Sequence, residues 1–524
     1  MKPTVLVLLA LAAATTVQAQ TWNEDFLNQP VNIRYGSVNP TRISYNDVRN
    51  FAVADVDCNL NRGDFHAVDQ SGKGHTIGAY IGGLRQIGRF DVQGRLSYRN
   101  RKDNDQSWNS TLWNNPYNPF VLCDSVPGDA TTESYDMGVT ATYAFNNRLK
   151  AALQADLRTG SRADQADPRP RTTTSILPIT AGADYRLTDR WSIGASVGAR
   201  FFNSQIEYTS VNSTLHSYRY FLMKGMGDYA KRMSGDEPGY KRDYKGTDVQ
   251  ATIDAVWQPD SGRWANFVEA AFAFKNEDAT DGGASYNFNG GDYQETVVTA
   301  QDRLQWKSDA RTMHNFTLIA TLASGKGTWS DQKRELDLER GSAVFYRVLS
   351  KNTIQENQRL CAALHYQFDK FSQGRRDITV EARVALAAIS RKQYLGTSTP
   401  KQKINYIDLQ LQGTKTIHIK KVSLLAQVGG DYRLPITKDY ANGSPYTGED
   451  DISQPFTRRV FEYESCGRFG LHALADASMP VSSVLTAGLF VKCRYDRYTD
   501  KEETWQGYDG THLTTASMGI YLKF

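Results

Sequence analysis

What this chain lacks narrows its class first. After the N-terminal stretch no apolar run approaches the roughly 18 to 20 residues of a membrane-spanning helix, and mean hydropathy is −0.53, so a helical membrane protein is excluded. Cysteine is scarce, at 5 of 524 residues: too few for a disulfide scaffold, and an odd number that leaves at least one thiol unpaired. A surplus of one charge sign is missing, with 61 basic against 57 acidic side chains and a net charge of +4. Nucleic-acid binding needs a basic excess to displace counterions, so no nucleic-acid partner is expected. Aromatics, in contrast, are plentiful: 28 Tyr, 22 Phe and 9 Trp rule out a solvating, disordered chain.

The N-terminus reads as an export signal. Lys2 supplies the positive end, Val5 to Ala14 the apolar core, and Val17-Gln18-Ala19 the small-residue spacing of a cleavage site. Residues 1–19 are therefore expected to be removed. The first cysteine, Cys58, lies far beyond that site, which closes the lipoprotein route. Cys58 and Cys123 both fall in early segments able to meet outside a membrane, so a disulfide and two isolated thiols both stay open.

The dominant signal is period-2 alternation. Phe90, Val92, Leu96 and Tyr98 alternate with Asp91, Gln93, Arg95, Ser97 and Arg99, which puts apolar groups on one face of a strand and charges on the other. The pattern recurs at Tyr135 to Phe145, Leu149 to Leu157, Trp191 to Phe201, Val249 to Trp257, Ile378 to Leu386, Ile407 to Leu411, Val422 to Val428 and Leu485 to Val491.

Connection lengths separate a membrane barrel from a soluble sandwich. Short turns such as Asn146-Asn147-Arg148 and Thr188-Asp189-Arg190 alternate with long polar stretches: Asn100 to Glu133, Asn203 to Gly246, Ser324 to Gln358 and Pro435 to Arg458. That asymmetry matches periplasmic turns and extracellular loops. Aromatics mark segment ends, as in Phe90 and Tyr98, Tyr135 and Phe145, Trp191 and Phe201, and Trp257 and Trp264, which suits girdles at both water–lipid boundaries. The chain stops on Phe524 at the end of an alternating strand (Ala516, Met518, Ile520, Leu522), similar to the terminal strand that serves as the insertion signal of outer-membrane barrels.

The expected fold is all-β: a transmembrane antiparallel up-and-down β-barrel. Strands are predicted near 49–58, 75–83, 89–99, 134–145, 149–158, 176–186, 191–202, 247–257, 263–275, 293–306, 312–323, 359–369, 377–390, 404–414, 421–433, 459–475, 484–496 and 513–524. The count is eighteen, with sixteen as the fallback if the weak strands near 49 and 293 fail. Residues 20–48 form a short periplasmic or lumen segment, too small for the plug domain of a TonB-dependent receptor, and 49–524 the barrel. The predicted location is the outer membrane of a Gram-negative bacterium, with membrane lipid and the barrel-assembly machinery as partners.

Turning apolar residues to lipid turns Asp91, Arg95, Arg99, Asp156, Arg158, Arg200, Asp254, Glu269, Glu381, Arg383, Asp431, Lys492, Arg494 and Asp496 toward the lumen. Mixed signs argue against strong ion selectivity, and a cross-strand ion-pair lattice is the structural alternative to a binding site. In the loops, Trp108, Trp113, Tyr117, Phe120, Tyr218, Tyr220 and Phe221 are candidates for gripping sugars or a partner protein, or for packing the loops on one another. Catalysis is not expected: His216, His365 near Asp369, and His472 form no recognisable constellation. Cys361 and His365 share a face without further soft ligands, so neither metal nor cofactor is expected. Arg62-Gly63-Asp64 is a three-residue coincidence with an adhesion tripeptide.

The runs NRGDFHAVDQSGKG, GRFDVQGRLSYRN and NNPYNPFVLCDSVPG resemble a family of uncharacterised outer-membrane barrels of Bacteroidetes-type bacteria, with a GDFHRP-like loop, a GRF strand and an NPY segment. The likeness covers about the first third of the chain. Ala67-Val68 stands where that family has Arg-Pro, which puts any role of the loop's basic residue in doubt. The resemblance implies an outer-membrane barrel and no established activity. Two functional classes follow. One is a non-enzymatic barrel for solute or nutrient uptake, or the membrane component of a surface complex with a surface lipoprotein or uptake-system partner. The other is a hydrolase, lipase or protease, using His216, His365 or His472. A hydrophobic-substrate channel, with Asn39-Pro40 in an N-terminal hatch, is the transport variant.

Overall fold

The computed structural model describes residues 32–46, 48–211, 218–234, 239–259, 262–283, 286–337, 343–372, 375–396, 398–441, 443–500 and 510–524. Its strands in the first half are β1 (Phe51–Gly63), β2 (Lys73–Ile87), β3 (Phe90–Gln106), β4 (Leu122–Cys123), β5 (Gly128–Ala144), β6 (Leu149–Asp164), β7 (Pro170–Arg186), β8 (Trp191–Tyr208), β9 (Arg219–Met223), β10 (Tyr229–Met233) and β11 (Lys241–Trp257). They continue with β12 (Trp264–Gly282), β13 (Asn287–Asp309), β14 (Thr312–Asp337), β15 (Ala343–Ser372), β16 (Arg375–Gln393), β17 (Lys401–Ile419), β18 (Val422–Ala441), β19 (Arg468–Pro480), β20 (Thr486–Tyr498) and β21 (His512–Lys523). Eighteen of them form one antiparallel sheet, and β4, β9 and β10 form a separate three-stranded sheet in the loops.

The sheet closes on itself because β1 pairs with both β2 and the final strand β21, from Val53 opposite Lys523 to Gly63 opposite Leu513. The backbone of Phe524 completes the seam by exchanging hydrogen bonds with Ala52. The strand count is thus eighteen, and the weak strands near 49 and 293 are β1 and β13.

The alternation has its expected meaning. Ile253, Val197 and Leu411, at 67%, 64% and 61% exposure, point outward, where a bilayer replaces water. Their chain neighbours point into the lumen, and Asp254, Ser196 and Thr252 are buried there. The short-turn end carries a belt of contacting outer rings: Phe90 with Tyr143, Trp191 with Trp257, Trp264 with Trp306, and Phe316 with Tyr366. Trp257 and Trp264 flank a single turn and both belong to this belt, rather than marking opposite boundaries.

Two expectations are corrected. The stretch 324–358 is not a loop: β14 and β15 run for 26 and 30 residues as one hairpin, far beyond the roughly 9 to 11 residues a tilted strand needs to cross. Beyond the bilayer both faces meet water, so the strand loses the apolar alternation that marks it lower down. The predicted strand at 459–475 begins only at Arg468, and Arg459–Ser465 is a helix that packs Phe461 among Ala387, Ile389, Ile404 and Tyr406. A short apolar run does not distinguish strand from helix. Of the two readings open for Cys58 and Cys123, the structure has the isolated thiols: Cys58 lies on β1, Cys123 is buried in the loop layer, and all five cysteines are free.

Adjacent residues on opposite faces give a test. Leu411→Arg, aimed at lipid, is expected to lower folding stability in bilayers by roughly 2 to 4 kcal/mol, whereas Gln410→Arg, aimed at the lumen, is tolerated. Urea titration of the two variants in phospholipid vesicles measures the difference.

Candidate functional site: a polar lumen with an inner segment and a loop lid

Toward the lumen's short-turn end the segment 32–46 lies inside the barrel, against one side of the wall. Asn39 caps a short 3-10 helix, Pro40–Tyr45, with proline in its first turn, where no backbone donor is lost. Just before it, Arg34 is fully buried between two wall carboxylates: its guanidinium lies 2.6 Å from Asp184 on β7 and 2.8 Å from Asp254 on β11, and donates to Ser192 Oγ. Asn39 Nδ2 donates to Asp254 (2.9 Å) and to the Ala183 carbonyl (3.0 Å). Ser37 Oγ and the Val38 amide both donate to Glu269 on β12. Tyr45 donates to Asp184, and Lys150 lies over its ring. The segment leans on the wall from β5 to β13 through polar contacts, with few buried apolar side chains of its own, chiefly Val38 and Ile43.

The long-loop end is closed differently. The β3–β5 loop folds inward across the mouth on two Asx turns: Asn115 Oδ1 accepts from the Tyr117 amide and Asn118 Oδ1 from that of Phe120, each at 3.0 Å. The repeated Asn-Pro of NNPYNPF is therefore what aims Tyr117 and Phe120 downward. Tyr117 lies 3.3 Å beneath the Arg359 guanidinium of β15, itself 2.6 Å from Glu295. Phe120 packs with Tyr293, and its carbonyl accepts from Tyr244 and from Arg242, which makes a fully buried two-pronged pair with Asp281. Gly291 has φ of +116°, and a Cβ there would stand 2.3 Å from the Phe120 ring, so glycine makes room for the lid. Glu277 holds the loop from below through Asn115 and Asn118.

A second layer covers this one. Trp108 stacks on Phe456 and packs on Phe221, Tyr208 stacks on Tyr220, and Glu464 of the Arg459–Ser465 helix pairs with Arg391 of β16. Phe65 of the GDF run is buried against Tyr463 and Tyr498, and Ala67 and Val68 are buried where the resembling family has Arg-Pro.

Between plug and lid, the wall from β15 to β20 turns His365, Glu381, Arg383, Gln412, Asp431, His472, Lys492 and Arg494 inward. His365 pairs with Glu381 at 3.2 Å, His472 and Gln427 meet Gln412, and Arg494 joins Asp431 and Asp496. These contacts run along the wall rather than to the plug, and the side chains are half-buried, as expected for groups facing a wet chamber.

The fourteen lumen candidates all lie on the inward face. Arg95 pairs with Asp156 and Asp136, Arg99 approaches Asp57, and Arg200 pairs with Asp248. Arg158 sits over the Trp113 ring of the lid, while Asp91 is buried. Asp254 and Glu269 hold the plug. Of the loop aromatics, Trp108 and Phe221 are buried together, Tyr117 and Phe120 against Tyr293, and Tyr220 against Tyr208, whereas Trp113 and Tyr218 are partly exposed. His216 lies outside the described residues. Asp369 bonds to Thr379, Gln367 and Arg376 rather than to His365. The plug residues Arg34, Ser37 and Tyr45 were not singled out in the sequence, because a single arginine in a polar segment carries no periodicity.

A closed eighteen-stranded barrel with an apolar outer band, an aromatic belt and a charged lumen is a transmembrane barrel of the outer-membrane class. The chain belongs to a family of unknown function (DUF6850), whose model matches residues 40–524. None of the curated proteins matches it. Among solved structures it is similar to the RagAB peptide transporter (8% identity, 91% of this chain and 87% of that one, TM-score 0.42). It is also similar to the copper transporter OprC (8%, 91% and 83%, TM-score 0.39) and to the ferric preacinetobactin receptor BauA of Acinetobacter baumannii (9%, 91% and 81%, TM-score 0.37). The class rests on the barrel itself, not on these likenesses.

Two outcomes are expected. Arg34→Ala leaves two buried carboxylates facing each other, a change worth about 3 to 5 kcal/mol against docking; hydrogen exchange at residues 39–45 rises while the barrel keeps its heat-modifiable gel mobility, and adding Asp184→Asn and Asp254→Asn restores protection. In the lid, burial pushes the Asp124 carboxyl from 3.8 up to about 7. A raised folded-state value favours the closed loop at low pH and loses that contribution as pH climbs through it, so loop 107–127 loosens between about pH 4 and pH 7. Hydrogen exchange corrected for intrinsic rates measures this, and Asp124→Asn flattens the profile.

Proposed function

We propose that the protein is a gated outer-membrane channel for uptake of small polar solutes. One observation carries this reading: the loops cover one end of the lumen and the segment 32–46 lies inside it toward the other, while the β15–β20 wall keeps a half-buried mosaic of Arg, Lys, His, Asp, Glu and Gln. A purely structural barrel has no need of a wet, polar chamber. A hydrophobic cargo would desolvate Arg383 and Lys492 at a cost of several kcal/mol, which disfavours the hydrophobic-substrate variant. The histidines His365 and His472 engage Glu381 and Gln412, an arrangement that offers no nucleophile and supports transport over hydrolysis.

The projecting β14–β15 hairpin supports a second role, as the membrane component of a surface complex. Above the bilayer it exposes Leu336, Phe345, Val348 and Leu349, and its backbone pairing with β13 and β16 ends near Thr328 and Gln355, beyond which Gln332 and Tyr346 still touch Asn289 and Phe288 of β13.

Planar-bilayer recording tests the channel reading. The intact protein is expected to be silent or to open rarely. A variant lacking residues 20–47 and with the lid cut back between Ser110 and Val126 should conduct steadily, with Arg383→Glu plus Arg494→Glu shifting its selectivity toward cations. Silence of the doubly opened variant, once its barrel is shown to be folded, would overturn the proposal.

A further inference from the structure

The outer wall carries a feature that solute transport does not use. Across β13 to β17 it holds a hollow of about 420 Å3. Register explains its shape. Outward-facing Val298, Leu322, Leu360 and Ala388 stand side by side in one row, and Thr296, Ser324, Gln358, Ser390 and Lys403 form the next row toward the long loops. The short side chains of Ser324, Ala388 and Ser390 leave a depression between longer neighbours. Its floor is therefore apolar and continuous with the lipid-facing band, and its upper rim is polar.

The charge above that rim is one-sided. The following row reads Lys326, Glu356, Lys392 and Lys401 across four strands. Lys392 and Lys401 are directly opposed across β16 and β17, an arrangement that costs stability unless an anion offsets it. Glu356 is engaged by the Tyr394 hydroxyl at 2.9 Å, and Lys392 sits 4.4 Å over the same tyrosine ring. Asp439 lies opposite Lys403 in register, yet among the described residues neither Lys401 nor Lys403 has an ion-pair partner. Four lysines thus face two carboxylates at the level where the apolar band meets the long-loop side.

We propose that this hollow binds one phosphate-bearing lipid of the outer leaflet. An acyl chain lies on Val298, Leu322 and Leu360, and the phosphate is held by Lys392, Lys401 and Lys403, lysine acting as a point-charge phosphate binder. The apolar floor separates this from capture of a free anion, which needs none. Its depth at the bilayer boundary leaves membrane lipid, rather than a soluble protein, as the occupant.

The test uses the full-length barrel in mild detergent with purified lipid A as probe, read by native mass spectrometry. The wild type is expected to retain one lipid A per barrel. Lys392→Gln, Lys401→Gln and Lys403→Gln combined should weaken binding about a hundredfold, from roughly one kcal/mol per lysine near a charged headgroup. Ala388→Phe, which fills the hollow without changing charge, should also release the lipid, and Lys421→Gln at the opposite end of the barrel should not. Heat-modifiable gel mobility confirms that each variant is folded. Equal retention by the triple variant, equal binding of dephosphorylated lipid A, equal loss in Lys421→Gln, or displacement of the lipid by inorganic phosphate at matching concentration would each overturn the proposal.

Discussion

The structure depends on one constraint: within lipid, no backbone amide or carbonyl can go without a partner. A sheet meets it only by having no edge, and here the pairing of β1 with β21 removes the last one. Everything else follows from that closure. With the backbone satisfied, side chains divide by face, apolar to the bilayer and polar inward. Eighteen strands then enclose a space too wide for wall side chains to fill, so the chain supplies its own filling from the N-terminal segment and the long loops.

The two fillings are built from different interactions, which bears on how the lumen is used. The N-terminal segment is held by Arg34, Ser37, Asn39 and Tyr45 against Asp184, Asp254 and Glu269. Arg34, Asp184 and Asp254 are buried together, so each charge depends on its partner and removing one leaves the other uncompensated. The lid is held by stacked and buried rings, Tyr117, Phe120, Trp108, Tyr208 and Tyr220, whose exposure would cost about 25 cal/mol for every Å2 of apolar surface. The lid is closer to a small soluble domain set in the mouth of the barrel, with the β4, β9 and β10 sheet as its framework.

Much of this was legible before any coordinates. The alternation at Phe90 to Arg99 or Trp191 to Phe201 names both faces of its strand, because a strand repeats every two residues and lipid tolerates no charge at mid-depth. The strand count depended on β13, whose weak pattern is recovered by requiring turns and loops to alternate, and on β1, which is needed to make the total even. Legibility failed where the local environment changes along one element. The upper halves of β14 and β15 leave the bilayer and no longer keep their apolar residues in lipid-facing alternation, and the helix around Phe461 packs in the loop layer on the inner wall rather than against lipid.

By itself the sequence determined the barrel, its strand faces and the inward direction of Asp254, Glu381 and Arg494, because those follow from periodicity and the cost of charge in lipid, both local properties. Only the tertiary structure decided what stands inside. Arg34 meets Asp184 and Asp254, Tyr117 meets Arg359, and Lys392 meets Lys401 across separations in the chain or in strand register that no local pattern encodes. Among the loop aromatics, Tyr117 and Phe120 are buried because the loop from β3 to β5 turns inward on its two Asn-Pro steps, while Trp113 and Tyr218 stay partly exposed.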